Sequence, residues 1–118
     1  METSKVTNNR KDLINAYKQR KIIGGVFKVT NTTNGRYLLD SAPDIQARQN
    51  AFNFSVTTNN PFDYKMRKDW QEHGASAFTF EILDTLEKKE TQSQEQFIED
   101  LKMLEDIQAD KLDSGIRY

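Results

Sequence analysis

Two short β-prone runs separated by a turn open the most strongly patterned part of the chain. The first covers residues 25–31 and the second residues 36–41, and both are rich in β-branched, aromatic or aliphatic side chains. Asn34-Gly35 between them is a turn dipeptide typical of a two-stranded hairpin. Because side chains alternate along a strand, Phe27 is expected on the face opposite Lys28. The pattern therefore predicts two antiparallel strands joined by a turn.

Helical patterns follow the hairpin. Ser41 begins a Ser-x-x-Asp sequence with a proline in its first turn, which predicts a helix over about residues 43–54 with Ser41 as its cap. Asn60-Pro61 predicts the start of another helix, and Gly74 predicts its end. Three large apolar residues at fourfold spacing give that helix a stripe typical of a core: Phe62, Met66 and Trp70.

The last third of the chain combines a strand with an acidic helix. Residues 77–83 alternate Phe78, Phe80 and Ile82 with smaller or polar side chains, so Glu81 is expected on the opposite face of that strand. Apolar residues at helical spacing between residues 91 and about 111 predict a helix that docks on the sheet or binds a partner. Docking is the favoured interpretation because a three-stranded sheet needs cover. The apolar side of this helix is predicted to contain Phe97, Ile98, Leu101, Leu104, Ile107 and Ala109.

The N-terminal part is expected to precede this domain and to dock lightly on it through one face of a helix. Residues 1–23 are interpreted as a polar tail followed by a helix over about residues 8–21, with a narrow stripe at Leu13, Ile14 and Tyr17. Residues 24–118 are expected to form the main domain, including the C-terminal helix.

Composition limits the possible classes of protein. The chain has 118 residues, of which 36% are hydrophobic and 30% charged, so one domain with a modest core is predicted. No apolar run is long enough for a membrane span and no signal-peptide pattern is present, so a cytoplasmic location is expected. The absence of cysteine excludes disulfides, thiolate metal sites and cysteine nucleophiles.

Charge is distributed unevenly although the net charge is only -1. Residues 1–24 contain six Lys or Arg and two Asp or Glu, whereas residues 79–118 contain five and eleven. The basic N-terminal part could contact phosphate, but a pI near 5.8 is not typical of a dedicated nucleic-acid binder. Solvated charged helices at both ends are the favoured interpretation.

The strand, turn, strand, helix unit resembles the GIY-YIG nuclease family. Gly25-Val26-Phe27 stands at the Gly-Ile-Tyr motif and Leu38-Leu39-Asp40 at the Tyr-Ile-Gly motif, while Ser41, Asp44 and Arg48 follow in an ungapped register. Downstream, Asp69-Trp70, Gly74 and the run from Phe78 to Leu83 are similar to a bacterial branch of the family. The resemblance spans roughly residues 24–86. It implies an α/β (α+β) fold with a small three-stranded antiparallel sheet flanked by helices.

The resemblance also implies a site for metal-assisted phosphodiester hydrolysis. Arg48 matches the phosphate-contacting arginine, and Glu81 matches the glutamate that holds a divalent cation, Mg²⁺ or Mn²⁺. The two signature tyrosines are replaced by Phe27 and Leu38, so both phenolic oxygens are missing. We expect these two side chains to line an open concave face together with Arg48 and Glu81. An alternative is that Arg48 and Glu81 form only a structural ion pair.

Other positions also depart from the family pattern. Asp40 replaces the glycine of the second motif, and Phe52 stands where many members have His or Tyr. A one-residue slip would bring Tyr37 to the second tyrosine position, but it would turn Tyr37 to the other sheet face. Tyr64 and His73 are interpreted as surface or helix-end residues, without partners at metal-ligand spacing.

Losing a positioned acid–base group costs about 10²- to 10⁴-fold in rate, so two missing phenols predict little catalysis. The leading hypothesis is a nuclease-like protein with little or no hydrolytic activity, acting as a nucleic-acid or protein interaction module. One alternative is an active metal-dependent DNA endonuclease that uses Arg48 and Glu81, with Tyr37 or Asp40 assisting. A second is a purely protein-binding module that works through the acidic C-terminal helix. The oligomeric state is left open.

Overall fold

The computed structural model describes residues 21–118, which form a three-stranded antiparallel sheet with helices on both faces. The strands are β1 (Ile23–Asn31), β2 (Tyr37–Ala42) and β3 (Phe78–Glu87), in the order β2-β1-β3. The α-helices are α1 (Ile45–Thr58), α2 (Arg67–His73) and α3 (Gln94–Asp110), and short 3₁₀ turns cover Tyr64–Met66, Ala75–Ala77 and Ser114–Ile116. The α+β fold with a small antiparallel sheet is confirmed.

The expectations for the N-terminal part are not tested. The tail and helix before residue 21, including Leu13, Ile14 and Tyr17, lie outside the described residues. The proposed boundary between residues 23 and 24 stays a prediction. Within residues 21–118, no helix is both long and apolar enough to cross a membrane.

The sheet divides the apolar residues into two clusters because alternate side chains of β1 point to opposite faces. The first cluster, on the face covered by α1 and α2, is built from Phe27, Val29, Leu38, Ala42, Ile45, Phe52, Met66, Trp70, Ala77 and Phe78. The second, on the face covered by α3, is built from Val26, Tyr37 and Leu39 with Leu83, Leu104, Ala109 and Leu112 packed against them. The predicted docking of the C-terminal helix is therefore confirmed, although Ile98 and Ile107 are exposed.

Several element boundaries differ from those predicted. The cap of α1 is Asp44, whose Oδ1 accepts the Ala47 N–H at 3.1 Å, so the prediction of Ser41 as cap is wrong. The helix expected to begin at Asn60-Pro61 starts only at Arg67, after a 3₁₀ turn capped by Asp63. A carboxylate that accepts a backbone N–H fixes a helix start more directly than sequence spacing does.

The C-terminal segment covers the open edge of the sheet beside β2. The Tyr118 N–H donates to the Tyr37 carbonyl at 2.8 Å, and Tyr37 forms an isolated parallel bridge with Arg117. The Tyr37 hydroxyl donates to the Asp113 carbonyl at 2.9 Å. These bonds satisfy backbone groups that an edge strand otherwise leaves unpaired.

Candidate functional site

Arg48 lies one turn after the Asp44 cap of α1, on the face of the sheet that contains Phe27. Its guanidinium carbon is 4.5 Å from the centre of the Phe62 ring and 5.6 Å from that of Phe27. A cation over an aromatic face is attracted to the electrons of the ring. The structure therefore brings together two of the positions that sequence matching had singled out, Arg48 and Phe27.

The side chains at the two signature positions are fully packed. Phe27 has no exposed surface and Leu38 has 3%. Phe27 stacks on Phe80 with 5.1 Å between ring centres, and the edge of Phe62 meets it at 6.0 Å. The expectation that Phe27 and Leu38 line an open concave face is wrong, because both side chains are buried and the rings of Phe62 and Phe80 pack against Phe27.

Glu81 lies on the opposite face of the sheet from Arg48. In the register of β1 with β3, Glu81 stands across from Lys28, and its carboxylate is 3.7 Å from the Lys28 Nζ. Lys28 alternates with Phe27, so this ion pair lies on the face covered by α3. The expectation that Glu81 shares a face with Arg48 is wrong, as is the alternative of an ion pair between them. The expectation that Glu81 and its neighbour Phe80 on β3 point to opposite faces of the sheet is confirmed.

The two residues considered as substitutes for the missing tyrosines also have other partners. Tyr37 is buried among the residues that α3 covers, and its hydroxyl donates to the Asp113 carbonyl. Asp40 forms an ion pair with Lys102 of α3 at 3.6 Å. Tyr37 therefore lies on the face opposite Phe27, and the register slip that favoured it is excluded. Asp40 stands across from Phe27 in the register of β1 with β2, but its carboxylate is paired with Lys102.

A polar cluster that the sequence did not indicate lies where the turn after β1 meets α2 and the C-terminal segment. Asn31, with no exposed surface, donates through Nδ2 to Asp69 at 3.4 Å and to the Tyr118 hydroxyl at 3.2 Å. Its Oδ1 accepts from the backbone N–H and the hydroxyl of Thr33, at 3.0 and 2.6 Å. The buried amide of Asn31 is thus fully satisfied.

Asp69 is the acceptor at the centre of this cluster. Its Oδ2 accepts the Tyr118 hydroxyl at 2.6 Å and the Asn34 amide at 3.3 Å, and Arg36 lies 3.9 Å away. The hydrogen bond from Tyr118 is the largest of the effects that lower the pKa of Asp69 below its usual 3.8. Burial, followed by donation to Asp69, raises the pKa of the Tyr118 phenol. Tyr118 is 87 residues from Asn31, so local sequence patterns give no sign of this contact.

Asp69 also belongs to a group of three residues at metal-ligand spacing. Ligand atoms of Asp69, Glu72 and His73 all lie within 4.8 Å of one another on α2. The statement that His73 has no such partners is therefore wrong, and the spacing of three and four residues along a helix was the signal that could have found them. The group is largely exposed, and Asp69 already accepts several hydrogen bonds.

Comparison with known proteins identifies the fold. No protein-family model matches the sequence, and no curated protein matches it either. Among solved structures, the chain is similar to the catalytic domain of the homing endonuclease I-TevI, with a TM-score of 0.53 and 18% sequence identity. The match covers 80% of this chain and 96% of that domain. This chain has the GIY-YIG nuclease fold.

The divalent cation that the GIY-YIG fold implies does not fit the position matched by Glu81. The Glu81 carboxylate is paired with Lys28, and it does not belong to the metal-ligand group found within residues 21–118. A single carboxylate binds Mg²⁺ weakly unless further oxygen ligands complete the shell. Glu81 and Arg48 therefore do not form one metal-and-phosphate site in this structure.

Proposed function

We propose that this chain is a GIY-YIG-fold domain that binds nucleic acid and has little or no hydrolytic activity. The observation that carries the proposal is the closure of the face that contains Phe27 and Leu38, which are 0% and 3% exposed. A buried phenyl ring and a buried isobutyl group can neither polarise water nor donate a proton. Losing one positioned acid–base group costs about 10²- to 10⁴-fold in rate, and here two are absent.

Retained binding to phosphate is supported by the state of Arg48. Arg48 is partly buried, its guanidinium lies over two aromatic rings, and it forms no ion pair with a carboxylate of residues 21–118. A planar guanidinium presents several donors that suit phosphate oxygens. In this proposal Arg48 contacts a backbone phosphate, and Glu81 serves as the ion-pair partner of Lys28. The predicted cytoplasmic location stays a prediction.

Supercoiled plasmid tests both parts of the proposal. With Mg²⁺ or Mn²⁺, the protein should nick the plasmid no faster than Glu81→Ala does. It should bind nucleic acid with an affinity that falls as salt rises, and Arg48→Ala should weaken that binding. Lys111→Ala, at an exposed cation after α3, is the matched control and should bind like wild type.

Two results would contradict this account. Metal-dependent nicking that Glu81→Ala abolishes would establish the active endonuclease. Absence of any nucleic-acid binding would favour a protein-binding domain instead.

That second candidate is favoured by one surface of α3. Met103 and Ile107, one helical turn apart, are 64% and 52% exposed. Four acidic residues of the same helix surround this pair: Glu99, Asp100, Asp106 and Asp110. An exposed apolar pair on an acidic helix suits a basic amphipathic partner.

A further inference from the structure

Tyr64 is a large aromatic side chain held almost entirely in solvent. It is 80% exposed, the highest value among the exposed large hydrophobic residues of residues 21–118. Residues two positions before and after it hold its backbone in place: Phe62 packs edge-on against other rings of the core, and Met66 is fully buried. The Asp63 carboxylate accepts the Lys65 N–H at 2.9 Å and caps this turn. The ring is therefore presented from a rigid segment.

Three cations follow this ring closely in the sequence, although the domain as a whole is acidic. Residues 21–118 contain 12 Lys or Arg and 16 Asp or Glu, whereas the eight residues 61–68 contain three and one. Lys65, Arg67 and Lys68 are all exposed, and none forms an ion pair with a carboxylate of residues 21–118. Arg48 touches the same segment through Phe62. A polyanion therefore has a locally favourable place to approach an otherwise repulsive surface.

We infer that the segment Tyr64–Lys68 is a platform for single-stranded nucleic acid. The Tyr64 ring stacks on an unpaired base, and Lys65, Arg67 and Lys68 contact neighbouring phosphates. In a duplex the faces of the bases are stacked on each other and cannot reach an aromatic ring on a protein surface, whereas in a single strand they can. This inference rests on the proposed nucleic-acid binding and specifies the form of nucleic acid and the surface that contacts it.

Fluorescence anisotropy with labelled oligothymidylate, and with a duplex of the same length, tests the inference. Wild type should bind the single strand more tightly than the duplex. Stacking of one base is worth about 1–3 kcal/mol, so Tyr64→Ala should bind the single strand about 5- to 150-fold more weakly. Tyr64→Phe keeps the ring face and should bind like wild type. Phe54→Ala removes a ring on α1 that is 68% exposed, and it should have no effect.

The contribution of the cations is read from the salt dependence. Each phosphate contact adds about 0.7 to the slope of log affinity against log salt for a single strand. Replacing Lys65 and Lys68 with Gln should therefore reduce that slope by about 1.4. The same two changes at Lys88 and Lys89, in the loop after β3, should leave it unchanged.

The possible results test the inference and the proposed function separately. Duplex binding as tight as single-strand binding, with wild-type affinity in Tyr64→Ala, would overturn this inference and leave the proposed function standing. An equal loss in Phe54→Ala would also overturn it, because the effect would not be specific to the platform. No binding to either oligonucleotide would contradict the proposed function itself.

Discussion

Replacing a tyrosine with phenylalanine at position 27 changes what this face of the sheet can enclose. A buried hydroxyl without a partner costs about 1–3 kcal/mol, whereas a phenyl ring has no polar group to satisfy. Phe27 can therefore pack flat on Phe80 and accept the edge of Phe62. Arg48 then lies over rings rather than beside a phenolic oxygen. The missing oxygen atom is consistent with the closure of the face and with the proposed low hydrolytic activity.

Asp69 and Tyr118 change each other's pKa through the hydrogen bond between them. Because the pKa of Asp69 is lowered in the folded state, its stabilising effect is present above pH 3.8, the ordinary value, and is lost as pH falls through the lowered value. The pKa of Tyr118 is raised, so its contribution is present below pH 10 and is lost as pH rises through the raised value. The hydrogen bond between them is present from the lowered Asp69 pKa to the raised Tyr118 pKa.

Tyr118→Phe should move the pKa of Asp69 upward, towards 3.8, because the substitution removes the donor with the largest lowering effect. Titration of the Asp69 carboxyl carbon by NMR measures this directly. Tyr64→Phe removes a hydroxyl from an exposed ring and should leave the Asp69 pKa at its wild-type value. Identical titration curves for wild type and Tyr118→Phe would show that the hydrogen bond is not formed in solution.

Individual residues also show which features could not be predicted from the sequence. The alternation of Phe78, Phe80 and Ile82 correctly placed Glu81 on the other side of β3. The sequence did not show how β3 pairs with β1, and that pairing places Glu81 across from Lys28. A match to a family position carries no information about cross-strand register. The contact between Asn31 and Tyr118 was beyond prediction for the related reason that it joins distant segments.

At the scale of elements, the packing of α3 on the sheet depends on Gly24. A Cβ built on Gly24 would lie 2.7 Å from the Ala42 carbonyl oxygen and 2.9 Å from side-chain atoms of Leu101 and Phe97. The absence of a side chain thus lets the first residues of β1 approach both β2 and α3. Close packing is therefore the structural reason for a glycine at this position.

Gly24→Ala should lower the free energy of unfolding by about 1–3 kcal/mol, because overpacking displaces α3 or the strand. Urea denaturation measures the change. Gly115→Ala is the matched control, since the nearest atom to its added Cβ is the end of the Asp113 side chain, at 3.2 Å. Equal stability of the two variants would mean that α3 does not pack against Gly24 as described.

The hydrophobic pattern predicted the type of each element better than it predicted where the element begins and ends. The three strands, the apolar stripe of Met66 and Trp70, and the stop at Gly74 all agree with the structure. Helix starts were wrong where two polar residues could compete as caps. Asp44 caps α1 although Ser41 has the expected spacing, because the Asp44 carboxylate accepts the Ala47 N–H directly.

At the scale of the whole molecule, residues 21–118 form a sheet between two helical layers with different surfaces. The layer of α1 and α2 encloses an aromatic cluster and presents the cations of residues 61–68, whereas α3 presents acidic residues. In a fold shared with a nuclease catalytic domain, the region expected to hold the reaction is thus packed as core. Within residues 21–118, a polyanionic ligand is expected to approach from the side of α1 and α2.

The most direct test of this closed face is the free energy of unfolding of the double variant Phe27→Tyr with Leu38→Tyr. If the face is core, the variant buries an unpaired hydroxyl and an oversized ring, and unfolding in urea should cost at least about 2 kcal/mol less than in wild type. Phe54→Tyr adds the same hydroxyl to an exposed ring and should leave stability unchanged. Wild-type stability of the double variant would contradict the account, because it would show that both tyrosines reach an open cleft.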